Sequence, residues 1–238
     1  MGTTPIATPM ITIEMSMTAA GGMGLVRLLS WLSPVFPTGG FAYSNGLERA
    51  VHDGLVSNEV QLYDWLRSII TRGSAKNDQI FLAESWRRAH ANKTCRPVAE
   101  LSIALAGSKE RHLELTAQGE AFVLAVEHWN FETHPDFGKL YPLPVVVGGY
   151  CAAGGIALEI ALIGYLQASI SNQLQAAIRL SVLGQSGAAR SLAALEPDIA
   201  RLAIAAVETS LDDLGTATLI ADIASMNHET QTVRLFRS

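Results

Sequence analysis

Residues 143–168 read LPVVVGGYCAAGGIALEIALIGYLQA, and they carry a single charge, Glu159. No proline follows Pro144 in this run, so the pattern predicts one helix through most of it. A helix apolar on every side lies inside a protein or inside a bilayer. Its length permits a membrane span. Its composition points the other way. Gly148, Gly149, Ala152, Ala153, Gly154, Gly155, Ala157, Ala161 and Gly164 are spread round the whole circumference. They leave little greasy surface for lipid and let neighbouring helices approach closely. Glu159 near the middle and the lack of a flanking basic cluster also oppose insertion. The expectation is an all-α protein with no membrane association, built around a buried Gly/Ala-rich central helix.

The rest of the chain fits that centre. It has 238 residues, 49% hydrophobic, 7% aromatic and 16% charged. An apolar fraction made mostly of Ala, Leu, Ile and Val suits helix-on-helix packing, in one large core or two small ones. The net charge is −5, with no basic stripe for phosphates, which argues against nucleic acid. Cys95 and Cys151 are far apart and form no CxxC pair, which predicts free buried thiols in a reducing compartment. Residues 1–24 contain no Lys or Arg, so they do not read as a secretory signal. They are expected to be a disordered lead, with Met23 a candidate natural start.

Helices are expected over Leu25–Leu32, Leu47–His52, from Ser57 or Asn58 to before Gly73, Asn77–Ala91, Pro97–Ala106 and Lys109–Trp129. Leu62, Leu66, Ile69 and Ile70 form one buried stripe at i, i+4, i+7, i+8. Residues 130–144, with three prolines and a glycine, are a loop. After the central helix, a new helix is expected from Ser171–Asn172 to Leu183. A short one follows over 188–195, and another opens at Pro197 and runs to Leu214. Residues 221–238 show no helical period beyond a turn or so. In all, roughly ten helices and no sheet are expected, as a single-domain bundle over 25–226 with a tail over 227–238.

The familiar chemical motifs are missing. His52, His90, His112, His128, His134 and His228 include no i, i+4 pair, and His228-Glu229 is not completed to HExxH because position 232 is Thr. There is no GxxxxGK[ST] and no GxSxG. No catalytic, metal-binding or cofactor-binding residue is expected. Two stretches remain that a plain core does not explain. One is the aromatic, glycine-rich segment 33–49. The other is the ending, where Val233, Leu235 and Phe236 alternate with Arg234 and Arg237. That ending reads equally as a tail docked on its own core and as a segment that orders on a partner.

These two ends carry a resemblance. LLSWLSPVFPTGGFAYSNGLE, SNQLQAAIRLSVLGQSGAARSLAALEP and DIASMNHETQTVRLFRS stand in the order, and close to the wording, of the motifs of the urease accessory protein F family. The similarity covers about 25–238. Asn227 and Thr232 depart from it, standing where the family often has a basic and an aromatic residue.

The resemblance implies an all-helical, homodimeric, cytoplasmic protein with no catalysis and no cofactor of its own. It implies a complex with the accessory protein UreD (also called UreH) and the GTPase UreG, which delivers nickel to apo-urease. An effect on GTP hydrolysis is a further implication. Tyr43 and Arg234 match positions that help recruit the GTPase, and the tail matches the segment ordered on UreD/UreH. The partner-binding residues expected on this basis are Tyr43, Ser44, Glu48, His228, Glu229, Arg234, Leu235, Phe236 and Arg237. Truncation of 227–238 or Arg234→Ala is expected to abolish urease activation and leave the helices folded. The competing expectation is a helical metal carrier or enzyme with a site dispersed over the histidines.

Overall fold

In a computed structural model of the chain, residues 19–238 are described. Among them there are helices, turns and loops and no strand. The chain runs α1 (Ala19–Trp31), a 3-10 turn (Gly40–Ala42), α2 (Leu47–His52), α3 (Glu59–Arg72), α4 (Ser74–His90) and α5 (Arg96–Ala104). It continues with α6 (Lys109–Val126), α7 (Leu143–Ala153), α8 (Leu158–Arg179), α9 (Gln185–Ala206), a second 3-10 turn (Leu211–Asp213) and α10 (Leu219–His228). The all-α expectation holds.

Local chemistry sets several of these limits. The Asn58 side chain accepts from the backbone N–H groups of Val60 and Gln61, both at 3.1 Å, and so caps α3. Leu62, Leu66, Ile69 and Ile70 are buried on its inner face, as their spacing requires. Ser108 caps α6 through the Arg111 N–H at 3.0 Å. α1 begins at Ala19, six residues before the expected Leu25, so part of the supposed lead is helical. The rest of that lead, 1–18, lies outside the described residues.

The single central helix is corrected. Residues 143–168 form two helices with a break at Gly154–Ala157. Gly155 has φ +69, a left-handed conformation that costs glycine little. α7 is the more buried piece, with every residue from Pro144 to Cys151 inside. α8 then runs without interruption past Ser171–Asn172, where a new start was expected. Serine and asparagine are cap residues only where the chain must turn, and here packing on both sides keeps it helical. For the same reason α9 passes through Pro197 rather than opening there. α10 corrects the reading of 221–238 as aperiodic. Its inner face is made of Ala221, Ala224, Ser225 and His228, residues too small or polar to register as a hydrophobic stripe.

Two apolar clusters fill the body. One gathers α4, α6 and α7 with the end of α1, around Trp31, Phe81, Phe122, Val146 and Tyr150. The other joins α2, α3, α8, α9 and α10, around Leu47, Leu66, Leu166, Leu195 and Phe236. α8 spans both, through Leu162 in the first and Leu166 in the second. Phe236 belongs to the second core, so the end of the chain is part of the folded body.

Candidate functional site

Two segments meet at one corner: the loop 39–48 and the tail 229–238. Gly39 (φ +70), Asn45 (φ +50) and Gly46 (φ +80) turn the first segment tightly around the 3-10 turn. A side chain at Gly46 would press on the backbone of Ser225 in α10, so glycine there permits the close approach. The tail lies against this loop and bends at 232–233 and 235–236. The Arg237 N–H donates to the Ala42 carbonyl at 2.7 Å, and the Ser44 N–H donates to the Ser238 carbonyl at 2.6 Å. The Ser44 hydroxyl reaches the same oxygen.

Just ahead of these contacts one side chain grips the tail backbone. Glu48 accepts from the Leu235 N–H at 2.7 Å and from the Phe236 N–H at 3.0 Å. Phe236 and Ser238 are buried, while Leu235 and Arg237 are exposed. Arg179 of α8 closes the edge. Its guanidinium stands 4.2 Å from the centre of the Phe236 ring and donates to the Phe41 carbonyl at 2.6 Å.

Beneath the tail sits His228, fully buried. Its Nε2 is 2.8 Å from Glu48 Oε2 and its Nδ1 is 2.6 Å from Glu110 Oε2. The other oxygen of Glu110 accepts from Arg234 at 2.7 Å. Arg234 also donates to the carbonyls of Gln231 (2.7 Å) and Glu229 (2.9 Å), which folds the tail's first turn. Glu229 in turn accepts from the Lys109 N–H at 2.9 Å, at the N-terminus of α6. Burial raises the Glu110 carboxyl above its ordinary range, and His228 and Arg234 oppose that rise.

Under the same loop lies a cavity of about 130 Å³, with Tyr43, Asp78, Glu114, Gln118 and Tyr165 among its walls. Arg111 bridges the two acids. It donates to both oxygens of Asp78 (2.7 and 2.5 Å) and lies 3.2 Å from Glu114. Burial pushes the Glu114 carboxyl up, against the pull of Arg111. A carboxyl whose folded value is raised binds its proton more tightly when folded, so stability falls as pH climbs from about 4.5 to that raised value. Glu114→Gln is therefore expected to flatten the pH dependence of unfolding over that window. Urea midpoints from pH 4 to 8 check this, and an unchanged slope would contradict it.

The expected site residues are thus brought together, though most face inward. Tyr43, Ser44, Glu48, His228 and Phe236 are buried, Glu229 is half-buried, and Arg234, Leu235 and Arg237 are exposed. Leu235 (60% exposed) and Val233 (82%) give the tail an apolar outer ridge. Sequence reasoning missed Glu110 and Arg179, which lie at least fifty residues from either segment and carry no local motif.

The other histidines, 52, 90, 112, 128 and 134, are exposed and scattered. Among the described residues no group of three or more His, Cys, Asp or Glu side chains is arranged to hold a metal. No helix among them is long and apolar enough to cross a membrane. Both cysteines are free and buried, and burial holds the Cys151 thiol far above the usual thiol range.

Comparison with known proteins agrees with this architecture. A family model described as UreF matches residues 56–196. The urease accessory protein UreF 1 of Brucella anthropi is 51% identical over 90% of this chain and 94% of its own length. The urease accessory protein UreF of Mesorhizobium japonicum is 48% identical over 91% of this chain and 97% of its own length. With the motifs, the helical body and these relatives in agreement, the chain belongs to the UreF family of urease accessory proteins.

Proposed function

We propose that this chain is a non-enzymatic scaffold in urease maturation. It joins UreD/UreH and the GTPase UreG in a cytoplasmic complex that delivers nickel, as cargo, to apo-urease, and it works as a homodimer. The supporting observation is the composite face made by the loop 39–48 and the tail 229–238. Its outer ridge of Val233, Leu235 and Arg237 is apolar and cationic, the side-chain types that anchor protein interfaces. Its inner residues hold the ridge in one shape, which lowers the ordering cost of binding. Tyr43, Ser44, Glu48, His228 and Phe236 serve partners indirectly in this reading, by fixing the surface, while Leu235, Arg237 and the exposed part of Arg234 touch them.

The double substitution Leu235→Asp, Arg237→Glu tests it. Both side chains point outward, so the circular dichroism spectrum and unfolding midpoint should stay put. Co-purification with UreD/UreH should weaken by about thirtyfold or more, the scale of losing one interface hot spot, and urease activation should fall with it. Full complex formation by the variant would remove the tail ridge from the interface. Turnover of GTP by UreG, with and without this chain, reads the accompanying effect on hydrolysis.

A further inference from the structure

Buried polar groups meet at one cavity with hydrogen-bonding capacity that the protein does not use. The cavity of about 130 Å³ is lined by Trp31 of α1, Glu114 of α6 and Gln173 of α8, which are only 2%, 9% and 8% exposed. The Trp31 indole N–H and Glu114 Oε2 have no hydrogen-bond partner among the described residues. The Gln173 side chain has none either. Gln118 uses only its Nε2, on a 3.5 Å contact to Glu114. Buried polar groups are nearly always paired in native proteins, so their gathering at one cavity points to a ligand.

The charge in the wall is unbalanced as well. Asp78, Arg111 and Glu114 are its charged side chains, and with both acids ionised they sum to −1. The Arg111 guanidinium donates to both oxygens of Asp78 and only approaches Glu114, at 3.2 Å. Glu114 is thus the acid left to meet a further cation. The remaining lining includes Phe36, Leu115, Phe122 and Val147. A buried water needs two to four polar partners, and that part of the wall offers none.

We propose that this cavity is a binding site for a small organic cation, a primary ammonium or amidinium on a body of about one six-membered ring. The cation offsets the excess negative charge. Its N–H groups donate to Glu114 and to the side-chain oxygens of Gln118 and Gln173, as charge-assisted hydrogen bonds. The body packs on the apolar wall, whose aromatic faces also attract a cation. The Trp31 indole N–H is left for an oxygen on the same ligand. The volume sets the size, since a cavity of about 150 Å³ takes a benzene. Gly40 and Tyr43 close over the polar end: a side chain at Gly40 would come within 3.2 Å of Gln118 Oε1. A ligand here therefore lies against the underside of the loop 39–48. The site needs no partner protein, so its test and that of the scaffold reading succeed or fail separately.

The experiment uses the full-length chain near neutral pH and two probes of one shape, benzylamine as the cation and benzyl alcohol as its neutral counterpart. Calorimetry should show one benzylamine site per chain, with benzyl alcohol weaker by about tenfold or more. NMR of ¹⁵N-labelled tryptophan locates the site. The Trp31 indole N–H signal should move on saturation, while those of Trp65 and Trp86, which do not line the cavity, stay in place. Glu114→Gln keeps the shape and removes the charge, so it should erase the preference for the amine. Gln173→Leu leaves every charge in place and should weaken benzylamine by about tenfold, which keeps a test in hand if the α6 variant fails to fold. Any of four results would overturn the proposal: no benzylamine binding at millimolar concentration, equal affinity for the two probes, an unmoved Trp31 signal, or wild-type behaviour in both variants.

Discussion

Glu48→Ala should detach the last ten residues while leaving most of the helical body folded. Glu48 is 5% exposed, and its carboxylate accepts from the Leu235 and Phe236 amides and contacts the His228 ring. Its removal leaves those donors facing a gap, and His228 keeps only Glu110. Breaking one side of a buried charged network costs about 3–5 kcal/mol. The tail has little else to hold it. Its remaining anchors are the Arg237 and Ser44 backbone bonds, the Phe236 ring under Arg179, and Arg234 on Glu110.

The expected readouts are loss of amide protection over 232–238, protease cleavage within the tail, and failure to assemble with UreD/UreH and UreG. Far-ultraviolet circular dichroism should change by little more than the frayed end of α10. Glu48→Gln separates charge from shape, because its amide oxygen can still accept from the tail while the carboxylate contact with His228 is lost. It should fall between wild type and alanine. A tail that stays protected in Glu48→Ala would show that the remaining anchors hold it without Glu48.

The two ends of the chain illustrate what a sequence can and cannot disclose here. The loop 33–49 and the tail stood out because their side chains were wrong for their setting: aromatics among glycines, and alternating apolar and basic residues at a terminus. Their mutual contact was invisible, since Ser44 meets Ser238 across 194 residues and Glu48 meets His228 across 180. Glu110 was unreadable for a related reason, being one acid in a helix whose charges otherwise look solvated.

The helices with plain periodicity, α3 above all, were legible from the apolar positions alone. The errors cluster where small residues carry the packing. At 143–168 the glycines suggested close neighbours all round but could not say which pair, Gly154–Gly155, would let the chain bend. In α10, alanine and serine on the inner face hid a helix that buries itself by close approach instead of by bulk.

That same dependence on small residues makes Gly148→Ala strongly damaging to the core. α4 and α7 form the most extensive helix pairing among the described residues. A methyl at Gly148 would run into the Leu82 carbonyl oxygen, with the Leu82 carbonyl carbon 3.0 Å away. Both obstacles are backbone, so no rotamer change relieves them and the two helices must separate. In a helix interior alanine is favoured over glycine by about 1 kcal/mol, so a net loss of stability would show that the steric term exceeds that gain. Overpacking of a dense core costs about 1–3 kcal/mol and at times more. With rigid backbone as the obstacle the upper end is expected, about 3 kcal/mol.

Gly119→Ala should behave alike, because its methyl would coincide with the Tyr141 carbonyl where the 127–142 loop crosses α6. Gly107→Ala is the control, since nothing lies within 4 Å of a methyl there and its φ is not positive. It should stay within about 0.5 kcal/mol of wild type. Urea unfolding of the three variants ranks them. If Gly148→Ala unfolded at the midpoint of Gly107→Ala, the close approach of α4 to α7 would not be what organises this body.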